Sequence, residues 1–171
     1  ENASVGWMMA FYSLRFKPGD RILTAEAEYA SNYLAYLQVA REQGVVIETI
    51  PSTDSGETCV DSLRAMIDER VRLISITHVP TNGGLVNPVE AIGAVAREHG
   101  IFYIVDACQS AGQIDLDVDA IQCDVLSASG RKYLRGPRGV GFLYVRNSVL
   151  DNLHPPMIDL YSANWVAADR Y

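Results

Sequence analysis

Apolar residues along the chain fall into short runs divided by amphipathic stretches. Strand-like runs occur at Arg21–Thr24, Val45–Ile50, Arg72–Thr77, Ile101–Asp106, Val125–Ser129 and Gly139–Val145. Ile101-Phe102-Tyr103-Ile104-Val105 has no polar break, as expected of a strand covered on both faces. Between the runs, helical patterns are predicted over residues 3–16, Asn32–Gln43, Val60–Ile67 and Val89–Glu98, with a short turn or helix at Asp119–Ile121. On the second of these, Tyr33, Leu34, Leu37 and Ala40 are expected to share one side. Lys17-Pro18-Gly19-Asp20 stops the first helix, while Gly44 and Gly100 close two others. Strands alternating with helices predict an α/β fold: a mostly parallel sheet flanked by helices. There is no internal repeat or low-complexity tract.

In such a sheet the ligand sits beyond the carboxyl ends of the strands. Three polar clusters follow strands directly: Thr77–Gly84, Asp106–Gln109 and Ser127–Lys132. Asp106 comes straight after the apolar run. A carboxylate there needs a partner, which a helix cap, a structural ion pair or a protonated ring nitrogen would each provide. A metal is disfavoured, since no second carboxylate or His stands at ligand spacing. The stretch Ser127-Ala128-Ser129-Gly130-Arg131-Lys132-Tyr133-Leu134-Arg135-Gly136-Pro137-Arg138-Gly139 combines hydroxyls, glycines and four basic residues. It reads either as a solvated basic loop or as a phosphate site with a lysine able to form a Schiff base. It contains neither a P-loop nor a GxGxxG fingerprint. Asn2-Ala3-Ser4 offers an N-cap or a second anion contact, and Tyr29 a stacking ring or an ordinary aromatic. His78 is a candidate base or a buried histidine.

The chain has 171 residues, 49% hydrophobic and 20% charged, with a net charge of −7. That charge argues against a nucleic-acid binder and leaves room for one local basic pocket. No apolar run approaches the ~20 residues of a membrane span. Three widely spaced cysteines, Cys59, Cys108 and Cys123, argue against a disulfide framework or zinc site and for a reducing cytoplasm. The chain lacks an initiator Met and opens in a helical pattern, so it reads as a piece of a longer protein.

Taken in order, these segments resemble the large domain of the class V aminotransferase family. These are pyridoxal-phosphate (PLP) enzymes of fold type I that include cysteine desulfurases. The resemblance is carried by Asp106-Ala107-Cys108-Gln109, by Lys132 placed 26 positions later within Ser129–Gly141, and by Thr77-His78-Val79-Pro80-Thr81-Asn82-Gly83-Gly84-Leu85-Val86-Asn87-Pro88. It implies a three-layer α/β/α PLP-binding large domain over residues 1–150, with 151–171 leading out of it. Lys132 matches the Schiff-base lysine and general base, Asp106 the partner of the pyridine nitrogen, and Gln109 the partner of the ring hydroxyl. Cys108 matches the small residue against one ring face. Ala3, Ser4, Ser129 and Arg131 match the phosphate cradle, and Thr81 and Asn82 positions that meet cofactor and substrate. Tyr29 stands where desulfurases carry a stacking His, and Arg131 where a His commonly precedes the lysine. The basic loop is closer to isopenicillin-N-epimerase-like proteins and carbon–sulfur lyases.

The resemblance therefore implies carbon–sulfur lyase or desulfurase-like chemistry on an amino acid, with transamination or epimerisation as the alternative. It also implies a homodimer with no nucleic-acid or membrane partner. None of the three cysteines matches the sulfur-accepting one. A reading of another class is a non-catalytic phosphate- or nucleotide-binding α/β domain, in which Lys132 is only a phosphate contact.

Overall fold

The computed structural model describes residues 2–159 and 161–170; Leu160 and Tyr171, in the expected lead-out stretch, and Glu1 lie outside them. Six strands, β1 (Arg21–Ala25), β2 (Val46–Ile50), β3 (Val71–Thr77), β4 (Phe102–Asp106), β5 (Val125–Ser129) and β6 (Gly141–Val145), form one sheet in the order β2-β1-β3-β4-β5-β6. The first five run parallel, and β6 returns antiparallel along β5, pairing Ser129 with Gly141 and Val125 with Val145.

Alternation along the strands divides the core in two. Ile22, Leu73, Ile104 and Val125 face a cluster with Trp7, Phe11, Ala35, Tyr36 and Val39. These come from α1 (Ala3–Phe11) and α2 (Ala30–Gln43). Leu23, Ile74, Ile76, Val105 and Leu126 face the opposite layer of α3 (Val60–Met66), α4 (Val89–His99) and α5 (Val118–Ile121). The expected three-layer α/β/α fold is therefore present.

Two expectations change. The first helix ends at Phe11, not residue 16, because the chain turns at Tyr12 and Ser13. Leu14 and Phe16 still pack on the core, but as irregular chain. On α2 the buried stripe is Asn32, Ala35, Tyr36 and Val39, a true i, i+3, i+4, i+7 set, whereas Leu34 and Leu37 are exposed. Gly44 and Gly100 end α2 and α4 in the left-handed conformation. After β6 comes a 3-10 turn at Asn147–Asn152 that the pattern did not predict. Among the described residues no helix is long and apolar enough to cross a membrane.

Candidate active site

The strand order reverses between β1 and β3, and the carboxyl ends of β3, β4 and β5, with Tyr29 beyond β1, open onto a cavity of about 520 Å³. Of the residues singled out from sequence, Ala3, Ser4, Tyr29, Thr81, Asp106, Cys108, Gln109, Ser129, Arg131 and Lys132 line it. Asn82, on the exposed turn beside Thr81, does not, and His78 opens onto a separate cavity with Asn87. His78 is buried, and burial lowers its pKa by disfavouring the charged imidazolium.

Asp106 is the last residue of β4 and almost fully buried. Its Oδ1 accepts the Cys108 N–H at 2.9 Å, and its Oδ2 accepts from Asn32 Nδ2 at 3.0 Å. Two donors do not saturate an ionised carboxylate, so lone pairs remain for a further partner. Among the described residues no cation pairs with Asp106, and no three metal-ligating side chains gather anywhere.

Lys132 sits half-buried in the loop that joins β5 to β6. That loop is closed on itself: Gly130 N–H donates to Val140 O at 2.9 Å and Gly136 N–H to Gly130 O at 2.7 Å. It is also pinned from the β4 side. Gly112 has φ +90°, and a Cβ there would fall 2.8 Å from the Tyr133 backbone. Only glycine lets the two chains touch next to the lysine.

At the other end of the cavity, Asn2 caps α1 by accepting the Val5 N–H at 3.0 Å, leaving early N–H groups of the helix at Ala3 and Ser4. Gly141 permits this approach, since a Cβ there would lie 2.6 Å from the Ala3 nitrogen. Ser129 Oγ is buried without a partner among the described residues. Arg131 and Arg138 complete a positive wall inside a chain of net negative charge. This end suits an anion. Cys108 lies between the two ends. Burial, then the Asp106 charge, pushes its thiol up to about 12.

Thr77 and Arg138, which the sequence places in polar clusters without a role of their own, also line the cavity, and Asn32 joins the site behind Asp106. Asn32 was read as the start of an amphipathic helix, and its signal was a polar residue in phase with Ala35, Tyr36 and Val39. Arg138 stood in the basic loop without a distinguishing mark.

The profile of the class-V aminotransferase family matches residues 2–161. The chain belongs to that family. Among its relatives is a probable cysteine desulfurase of Methanothermobacter thermautotrophicus, 35% identical over 92% of this chain and 39% of the relative. The apo structure of a cysteine desulfurase from Thermococcus onnurineus NA1 superposes with a TM-score of 0.91 at 32% identity, over 99% of this chain and 43% of that one. A cystine C–S lyase bound to its product, cysteine persulfide, superposes with a TM-score of 0.88 at 26% identity, over 98% and 45%. The chain thus spans less than half the length of these family members.

Proposed function

We propose that this protein is a PLP-dependent enzyme that cleaves a carbon–sulfur bond of an amino acid, as a lyase or a desulfurase. The observation that carries the reading is the convergence of Asp106, Ser129 and Lys132 on one cavity from β4, β5 and the β5–β6 loop. The residues fit the cofactor. The buried, unpartnered Ser129 hydroxyl, the Ala3 and Ser4 N–H groups and Arg131 are the donors a phosphate requires. Asp106 has acceptor capacity left for a pyridine N–H and would keep that nitrogen protonated. Gln109, Cys108 and Tyr29 line the same cavity, where Gln109 would bind a ring hydroxyl and Cys108 and Tyr29 would pack against the ring. When bound, PLP supplies an electron sink for charge developing at the substrate Cα. Lys132 would hold the cofactor, and its amine, which lines the same cavity, would move the proton at the substrate Cα. Thr81 lines the same cavity, with Asn82 on the turn beside it.

Lyase or desulfurase chemistry is favoured by the desulfurases and the C–S lyase among the similar proteins. A homodimer is the expected assembly, and the three free thiols suit a reducing, cytoplasmic setting.

The test is the visible spectrum of the PLP-loaded protein during addition of cysteine, cystine and other amino acids, with product analysis. Sulfide, persulfide or another sulfur leaving group, with return of the band of lysine-bound cofactor, is the expected result. Release of a keto acid with a lasting amine form of the cofactor would mean an aminotransferase instead. Lys132→Ala should abolish both the band and turnover. If it bound cofactor with the same spectrum, the assignment of Lys132 would be wrong.

A further inference from the structure

A second carboxylate stands behind Asp106. Glu28, in the turn between β1 and α2, is half-buried, and its carboxylate meets side chains of Thr24, Asn32 and Thr77. Its Oε1 accepts the Tyr29 N–H at 2.7 Å, Asn32 Nδ2 at 3.1 Å and the Thr77 hydroxyl. Its Oε2 lies 3.0 Å from the Thr24 hydroxyl. Burial, opposed by these donors and reinforced by the Asp106 charge, raises its pKa.

Asn32 connects the two acids. Its side chain is almost wholly buried, and its one amide nitrogen donates to Glu28 at 3.1 Å and to Asp106 at 3.0 Å. An amide nitrogen has two hydrogens, so each acid takes one. This fixes the orientation of the amide. Turned over, Asn32 would present its carbonyl oxygen to two carboxylates at once. Glu28 therefore holds the donor end of Asn32 toward Asp106. With the same Oε1 it fixes the backbone of Tyr29, whose side chain lines the cavity.

We propose that Glu28 is a positioning residue of the site, orienting Asp106 through Asn32 and Tyr29 through its backbone N–H. The inference rests on the reading in which PLP lies against Asp106 and Tyr29. Glu28 lines no part of the cavity and acts only through these neighbours.

The experiment uses full-length protein stripped of cofactor. PLP is titrated back, the dissociation constant is read from fluorescence quenching, and the visible circular dichroism of the bound cofactor records how the ring is held. Removing the anchor in Glu28→Ala leaves buried donors unpaired and should weaken PLP binding roughly tenfold or more, with a reduced dichroic band. Glu28→Gln retains an acceptor oxygen and should restore both signals to within about threefold of wild type. Asn32→Ala should match Glu28→Ala, and combining the two should add little.

Thermal unfolding of the cofactor-free variants separates loss of positioning from loss of fold. If Glu28→Ala does not fold, Glu28→Asp, whose shorter side chain draws the carboxylate back from Asn32, replaces it and should show the same two losses in smaller degree. A folded Ala variant, or in its place Glu28→Asp, with wild-type affinity and dichroism would overturn the proposal. So would a Gln variant as impaired as Ala, which would assign the effect to charge. Wild-type protein that takes up no PLP would instead overturn the cofactor reading.

Discussion

Cys59, Cys108 and Cys123 carry the same thiol in three electrostatic settings. Hydrogen bonding from Ser62 lowers the pKa of the half-buried Cys59. Burial pushes Cys108 up to about 12 and Cys123 up to about 11. Because the thiolate is the nucleophile, iodoacetamide at pH 8 should label Cys59 well before the other two, as read by peptide mass spectrometry. Early labelling of Cys108 would contradict the packing around Asp106. The same contrast explains what could be read from sequence. Asp106, Ser129 and Lys132 stood out because they lie at or just beyond the end of a buried strand, where a polar residue is conspicuous. Glu28 and Asn32 did not, because acidic and amide residues are ordinary at the opening of a helix. Their significance depends on Thr77 and Asp106, which come from other strands.

Element by element, the strands were legible because four of the six, β1, β3, β4 and β5, lie between two neighbours and are almost wholly buried, which demands apolar runs. The faces of helices were less so. Leu34 and Leu37 outweigh Ala35 and Tyr36 in hydropathy, yet the latter pair is buried, since a small residue beside an aromatic fits against Trp7 and Phe11. Close backbone approach is also invisible in a pattern of apolar and polar letters. Gly141 lies where β6 meets the start of α1, and its Cβ position is 2.6 Å from Ala3 N and 2.9 Å from Ala128 O. Neither neighbour is a flexible side-chain end. Gly141→Ala should therefore cost about 1–3 kcal/mol in urea unfolding and weaken PLP binding by displacing the first turn of α1. Unchanged stability would mean that α1 shifts freely.

Across the whole molecule, chemistry and anchoring occupy opposite ends of the sheet. At the amino end of β1, buried Arg21 pairs with Glu48 of β2, with Asp68 at 3.1 Å, and with Met66 O at 2.7 Å. Burial acts against the charge on Asp68, but hydrogen bonds from Arg70 and Arg21 outweigh it and hold the carboxyl down to about 2. A depressed carboxylate pKa adds stability above its unfolded value near 4, and that gain fades as pH falls through the folded value. Asp68→Asn should thus be less stable than wild type at pH 7. The gap should narrow as pH drops from about 4 toward 2, as followed by urea unfolding, while PLP affinity stays unchanged. A gap independent of pH would contradict the ion pair.

At the carboxyl end, the loop that bears Lys132 is the turn of an antiparallel hairpin whose two arms are already zipped together by β5 and β6. Closing that loop costs little further chain entropy once the hairpin exists. The amine is accordingly presented to the cavity at an effective concentration set by strand register and independent of how much protein is in solution.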